Sequence, residues 1–181
     1  IAKVSGVSFE QYVKDIILRP LEMKHTSFYY PEMTPSLRTS PHTGRPPVVS
    51  KVYPYNRMHA PSSTLNTNVP DLSNWVIANM HNGLYKDQRI LNPATHQMMI
   101  TPTFEVNRER QVSIGLSWFM YPYKGTVNIE HGGGDLGYRS LLTLIPERKI
   151  GIVILCNTEK ARMYDIRNYI RDIVLSAPEE L

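Results

Sequence analysis

One short stretch of this sequence sets chemically useful residue types side by side: His131-Gly132-Gly133-Gly134. Three consecutive glycines at the end of a predicted strand forgo side-chain packing and raise the entropy lost on folding, so the missing side chains need a reason. One reason is the close approach of another molecule. A strand edge without side chains lets an extended substrate lie along the backbone, and a free N–H there can donate to a developing oxyanion. The other reason is plainer, a glycine-rich turn carrying a surface histidine. Spacing alone leaves the two open. Metal chemistry has weaker support, because the six histidines stand singly, without the H-E-x-x-H spacing that sets two ligands on one helix face. Cys156 is the only cysteine, so neither a disulfide framework nor a Cys-rich metal site can form within the chain. No metal or organic cofactor is expected.

The elements that must hold this stretch are strands. Ile114 to Tyr121, Val127 to Gly132, Tyr138 to Ile145 and Ile150 to Asn157 are short runs rich in branched and aromatic residues, separated by Lys124-Gly125, Asp135-Leu136-Gly137 and Pro146-Glu147-Arg148-Lys149. That spacing predicts an antiparallel meander. The last run is apolar without alternation, which predicts a strand buried on both faces and helices on both sides of it. One cover is a C-terminal helix, where Met163, Ile166, Ile170, Ile173 and Val174 form an apolar stripe opposite Arg162, Arg167, Arg171 and Asp172, ending at Pro178-Glu179-Glu180. The other cover has no obvious source in this half. It must come from the helices before residue 110 or from a segment outside the chain.

Before the strands the chain reads as helix and loop. Ser8-x-x-Gln11 has capping-box spacing, Phe9, Tyr12, Val13, Ile16 and Ile17 recur at three and four, and Pro20 stops the pattern. A second helix is predicted from Pro70 to His81, with Leu72, Trp75, Val76 and Met80 on one face and Gly83 just beyond. A short third one has Asn92 as its cap, Pro93 at its first position and Pro102 as its stop. From Tyr29 to Pro70 no period is sustained, and prolines crowd at 31, 35, 41, 46, 47, 54, 61 and 70. A loop this long is usually functional or a linker. The expected organisation is a helix-and-loop portion over 1–112 and an antiparallel sheet with a C-terminal helix over 113–181, together part of a single domain.

Composition narrows the function classes. With 181 residues, 41% hydrophobic and 20% charged, the chain sits in the globular range, away from disorder and fibres. The longest apolar stretch, Ile150 to Cys156, is too short to cross a bilayer as a helix. The charge of +4 comes from 20 basic and 16 acidic residues without a basic run, so nucleic acid is not an expected partner. Ile1-Ala2-Lys3-Val4-Ser5-Gly6 lacks an initiator Met and a signal peptide and reads as the last turn of a helix closing at a glycine cap. The chain looks like a piece of something longer.

A comparison with the H-G-G-G oxyanion loop of lipase-like α/β-hydrolases fails, because no G-x-S-x-G elbow follows Gly134 and a meander is not a parallel sheet. A second comparison covers nearly the whole chain in order. Its pieces are Gly6-Val7-Ser8-Phe9-Glu10-Gln11-Tyr12, Ile17-Leu18-Arg19-Pro20-Leu21-Glu22-Met23-Lys24-His25-Thr26, His59-Ala60-Pro61-Ser62-Ser63-Thr64 leading to Asp71-Leu72-Ser73-Asn74-Trp75, Gly115-Leu116-Ser117-Trp118-Phe119, His131-Gly132-Gly133, Gly137-Tyr138-Arg139-Ser140, Pro146-Glu147, and Ile152-Val153-Ile154-Leu155-Cys156-Asn157. In these the chain resembles the serine beta-lactamase-related hydrolases, which include class C beta-lactamases, penicillin-binding proteins and esterase-like enzymes. The resemblance implies an α+β fold, an antiparallel sheet flanked by helices with a helix-and-loop lobe. It also implies acylation of a serine in S-x-x-K, assisted by Y-x-N and by K-T-G or H-x-G on a sheet-edge strand. His131-Gly132-Gly133 matches the last motif. By position the Gly134 N–H is then one oxyanion donor and the nucleophile's own N–H the other.

The chain departs from that pattern where it matters most. No serine has a lysine three residues on, and no tyrosine or serine has an asparagine two residues on. The resemblance therefore makes this the C-terminal part of a catalytic domain, inactive alone, with the nucleophile, its lysine, the tyrosine and a packing helix in a missing N-terminal segment. The parent is expected to be an enzyme acting on a small-molecule or peptide amide or ester. His131 gives a titratable charge where lysine is more usual, which shifts the expectation from penicillins towards esters or peptides. Candidate catalytic residues are His131 and Gly134; candidate substrate contacts are Gly132, Gly133, His59 and Tyr138. Tyr138 and Arg139 read equally as cross-strand packing, His59 as a plain loop histidine, and Ser62 and Ser63 as loop hydrogen-bonders without a basic partner. Location in the periplasm or outside the cell follows from the resemblance alone. The rival from another class is a non-catalytic binding or sensing module on the same scaffold, and the blandest reading is a domain kept for assembly.

Overall fold

The sheet begins where branched and aromatic residues take over the sequence. In the computed structural model, which describes residues 1–176, six strands form one antiparallel sheet in chain order: β1 (Phe104–Asn107), β2 (Val112–Ile114), β3 (Phe119–Tyr123), β4 (Thr126–Asp135), β5 (Tyr138–Ile145) and β6 (Ile150–Cys156). The predicted meander is present. Lys124 and Gly125 both take positive φ, which suits the two-residue turn that joins β3 to β4 with the right twist. The first predicted run is cut in two, because Ser117 sits at φ 71 and turns the chain before β3. β1, with the start of β2 before Ile114, extends the sheet beyond the prediction.

Helix ends follow the capping residues. Ser8 accepts the Gln11 N–H at the start of α1 (Phe9–Val13), which runs on as a π-helical segment, Lys14–Leu18. Asn68 caps α2 (Val69–Met80), and Asn92 caps α3 (Pro93–Met99) with Pro93 at the first position. Asp71, in the first turn of α2, is buried and accepts from the His25 N–H at 2.7 Å and the Thr26 hydroxyl at 2.8 Å, tying the turn after α1 to α2.

Both faces of the sheet are covered. α2 supplies the cover that the strand half lacks: Val76 packs with Trp118, Met120, Ile129 and Leu144. A Cβ at Gly151 would stand 2.2 Å from Val76 Cγ1, so this glycine lets α2 rest on β6. On the other face lies α4 (Met163–Ser176), with Met163 against Leu141, Ile152 and Ile154.

The predicted stripe of α4 is corrected. Ile166 and Ile173 are 42% and 54% exposed, whereas Arg167 and Arg171 are 7% and 3% exposed. The sheet presents Asn128 and Glu130 to this helix, and hydrogen-bonded charge pairing displaces the apolar periodicity. The Pro178-Glu179-Glu180 ending lies outside the described residues. β6 forms the edge of the sheet. The region from Tyr29 to Pro70 is better organised than a featureless loop, with a small hairpin (His42–Thr43 with Val48–Val49), a helical turn (Ala60–Ser63) and Tyr30 stacked on Tyr53 at 4.1 Å. Among the described residues no helix is long and apolar enough to cross a membrane.

Candidate active site

The glycine stretch lies on β4, and its pairing is one-sided. β5 follows β4 throughout, from Ile129↔Leu144 through Gly133↔Ser140 to Asp135↔Tyr138, but β3 leaves it at Phe119↔Glu130. β3 begins only at Phe119, after the Ser117 turn, so it is too short to follow further. From His131 to Asp135 the strand therefore has a free edge, and unpaired backbone groups on such an edge are a template for an extended ligand.

Strand alternation sets Asn128, Glu130, Gly132 and Gly134 towards α4, and Ile129, His131 and Gly133 towards α2. The helix meets its side of the strand rung by rung. Arg171 donates to Asn128 Oδ1 at 3.0 Å, Arg167 pairs with Glu130, and a Cβ at Gly132 would stand 3.0 Å from the Tyr164 hydroxyl. Three to four helical residues rise roughly 5–6 Å and two strand residues roughly 6.7 Å, so the two elements stay in step. The other two glycines also make room for neighbours. A Cβ at Gly133 would lie 2.4 Å from Ser140 Oγ, and one at Gly134 would lie 3.2 Å from Arg139 Nη1. The missing side chains thus admit Tyr164, Ser140 and Arg139, while the free backbone edge stays open.

On the α4 side of these glycines is a cavity of about 860 Å³, lined by Gly132, Gly133 and Gly134 together with Arg139, Glu159 and Tyr164 among others. Gly132 and Gly133 are half-buried, Gly134 and His131 are exposed, and the His131 ring lies 5.9 Å from that of Phe119.

Directly before the glycines is a buried polar network that sequence reasoning missed. Glu130 Oε2 accepts from Arg167, from the Thr143 hydroxyl at 2.7 Å and from the Tyr121 hydroxyl at 3.1 Å. Burial, with Glu130 adding to it, pushes Tyr121 up to about 12, so its hydroxyl keeps its proton and can donate. Arg171 stacks its guanidinium over the Tyr123 ring at 3.2 Å. The available signal was the pair Arg167 and Arg171, four apart on a helix, matched by Asn128 and Glu130, two apart on a strand. No group of three or more His, Cys, Asp or Glu that could hold a metal occurs among the described residues.

The remaining candidates lie elsewhere. The Tyr138 hydroxyl donates to the Thr39 carbonyl at 2.6 Å and its ring meets Tyr53 edge-on at 6.0 Å, which fastens the long loop to the end of the β4–β5 hairpin. Burial pushes the Tyr138 phenol up. His59 is exposed on the short turn Arg57–His59. The Ser62 hydroxyl donates to the His59 carbonyl at 3.1 Å and meets Ser63 Oγ at 3.2 Å. Gly132 to Gly134 are thus gathered with Arg139 at the cavity, and His131, His59 and Tyr138 do not line it, His131 being set towards the α2 side of the strand.

Residues 1–175 match the family model described as Beta-lactamase. Protein flp of Staphylococcus aureus (strain MW2) is 30% identical over 164 residues, which cover 87% of this chain and 30% of that protein. Among solved structures, the octameric penicillin-binding protein homologue from Pyrococcus abyssi is 25% identical with a TM-score of 0.82, over 96% of this chain and 39% of its own. A D-stereospecific amidohydrolase from Streptomyces sp. shares the fold at 20% identity and a TM-score of 0.70, over 87% of this chain and 46% of its own. The chain thus spans under half the length of each of these relatives.

Proposed function

Given that this chain belongs to the beta-lactamase family, we propose that it is the C-terminal part of a serine hydrolase that cleaves an amide or ester through an acyl-enzyme. One observation carries this: the free edge from His131 to Asp135 in the strand that holds H-x-G, whose glycines also line a cavity on the α4 side. In this reading the substrate lies along that edge. The Gly134 N–H donates to the oxyanion as the carbonyl carbon is attacked, and His131 places a hydrogen bond or partial positive charge beside the substrate. A hydroxyl needs a neighbouring base to attack at neutral pH, and the chain has no S-x-x-K to provide the pair. The nucleophile, its lysine and the Y-x-N tyrosine belong to an upstream segment. The likeness to a penicillin-binding protein homologue and to an amidohydrolase supports an amide or ester substrate. The family resemblance supports a location in the periplasm or outside the cell.

The edge of the sheet supports the upstream segment as partner. Beyond β6 there is no further strand among the described residues, although Ile150–Cys156 is almost wholly apolar. A groove of about 700 Å³ flanks it on the α2 side, lined by Val69, Ile77, Gly151 and Val153 among others, and α4 exposes Ile166, Tyr169 and Ile173. Open edges of this kind take an added strand.

The test is to read the encoding gene upstream of Ile1 and to assay both lengths of protein with a chromogenic cephalosporin and a nitrophenyl ester. We expect S-x-x-K and Y-x-N upstream, an acylation burst from the extended protein and none from the 181-residue chain. A burst from the short chain would overturn the division of the site. Absence of the motifs upstream would favour a non-catalytic binding or sensing module.

A further inference from the structure

We propose that the tip of the small hairpin, from Arg45 to Val52, docks on an anionic lipid surface. The proposal is independent of the hydrolase reading. Every residue from Arg45 to Val52 except Ser50 is exposed, and Val48, Val49 and Val52 are each more than half exposed. Strand alternation sets Val48 and Val49 on opposite faces of the ribbon, so neither face of this strand is covered by the protein. The root, by contrast, is fixed. The Ser50 N–H donates to the Pro41 carbonyl at 2.8 Å, the His42 N–H to the Asn157 carbonyl at 3.1 Å and the Gly44 N–H to Glu159 at 3.2 Å. Pro41 is buried, and a Cβ at Gly137 would stand 2.4 Å from the Pro41 Cβ, so the β4–β5 turn clamps the base of the hairpin. A rooted ribbon thus holds three branched apolar side chains out in water, the mark of an interaction site.

The charge around the tip has one sign. From Met33 to Pro70 the chain has Arg38, Arg45, Lys51 and Arg57 and no Asp or Glu, so this segment carries a charge of +4, equal to the net charge of the whole chain. Arg57 pairs with Glu10 at 2.7 Å, and Arg38 donates to the Met33 carbonyl and lies over the Tyr30 ring. Arg45 and Lys51, which flank Val48 and Val49, are exposed and have no acidic partner within ion-pair reach among the described residues. Glu159, bonded at the root, is paired with Lys160 at 3.3 Å. Branched apolar side chains between two free cations fit the boundary of an anionic bilayer, where the apolar groups enter the acyl layer and the long basic chains reach the headgroups. A second copy fits less well, because the tip would meet its own cations and brings no acid. A protein partner covers one face of a ribbon, whereas a fluid bilayer closes around both. Contact of this kind needs no spanning helix.

The test is co-sedimentation of the 181-residue chain with vesicles of phosphatidylcholine that contain phosphatidylglycerol at about 30%, against vesicles of phosphatidylcholine alone. The mixed vesicles should bind at least about tenfold more tightly, since each basic residue near such a surface is worth about fivefold in affinity. Arg45→Gln with Lys51→Gln should weaken binding to the mixed vesicles by at least about tenfold. Val48→Ser with Val49→Ser should do the same, because the lost methyls no longer enter the acyl layer. Ile173→Ser, which removes an exposed apolar side chain from α4, should change binding by less than about twofold. Salt gives a reading that needs no variant: going from about 0.1 M to about 0.5 M NaCl should weaken binding to the mixed vesicles and spare what little the neutral ones show. Equal binding to both vesicles, loss on Ile173→Ser instead of at the tip, or a valine double variant that binds like the parent would each overturn the proposal. Tighter binding of a single-stranded oligonucleotide than of the mixed vesicles would make the partner a nucleic acid and overturn it as well. So would a dimer in sedimentation equilibrium that the valine double variant abolishes, which would assign the tip to a second copy. Failure to find an acyl-enzyme in the extended protein would sink the hydrolase reading and leave this docking untouched.

Discussion

Replacing Arg167 by Leu tests the network that holds the glycine strand against α4. The Glu130 and Arg167 side chains are 9% and 8% exposed, so little water is available to solvate the carboxylate once the guanidinium is gone. Thr143 and Tyr121 would still donate to it, but neither carries charge. Breaking a buried pair by removing one partner costs about 3–5 kcal/mol, chiefly because the remaining charge is uncompensated. For a chain of this size about 1 kcal/mol moves the melting temperature by about 2–4 °C, so Arg167→Leu should melt roughly 6–20 °C lower than the parent. Adding Glu130→Gln should restore most of that loss, since an amide needs no counter-charge and its carbonyl oxygen still accepts both hydroxyls. Calorimetry or circular dichroism of the parent, both singles and the double measures the cycle, and ¹⁵N spectra should show the His131 and Gly132 amides moving in Arg167→Leu. A single variant within about 1 kcal/mol of the parent, or a double no more stable than the single, would refute the reasoning.

Three further outcomes are expected. Gly151→Ala should destabilise by about 1–3 kcal/mol, because the new methyl meets Val76 Cγ1, and Val76→Ala in the same chain should relieve most of it; thermal melts of the pair check this. His96 is buried with both ring nitrogens unpartnered, and burial holds it below its ordinary value of 6.5. The native ring stays neutral where the unfolded one takes a proton, so its stabilising share is fully present above pH 6.5 and is lost as pH falls below it. Urea titrations from pH 7.5 to 5 should show that slope, and His96→Leu should flatten it. In the protein extended upstream, Gly134→Pro should lower turnover by ~10²–10³ with substrate binding changed little, while Gly134→Ala, which keeps the N–H, loses far less. Equal losses, or parental kinetics in Gly134→Pro, would remove Gly134 from the oxyanion site.

Local grammar was legible in the chain. Ser8, Asn92 and Pro93 cap where expected, Tyr138–Ile145 is the strand its residues describe, and Lys124-Gly125 makes the turn its chemistry demands. Each of these is decided within a few residues, by φ/ψ preference or a single capping bond. The H-x-G motif was likewise visible as residues on a strand. Which side of α4 faces the sheet was not, because apolar period and buried charge compete. The winner depends on Glu130, 37 residues before Arg167 in the chain, lying on the face that the helix covers. The free edge of β4 also escaped the sequence: it exists because the Ser117 turn makes β3 start late, a matter of register between strands. The sequence by itself determined the elements, the hairpin order and the glycine stretch. Only the tertiary structure decided that this stretch has one neighbour instead of two and a cavity beside it, because strand register and the desolvation of paired charges are settled when distant segments meet.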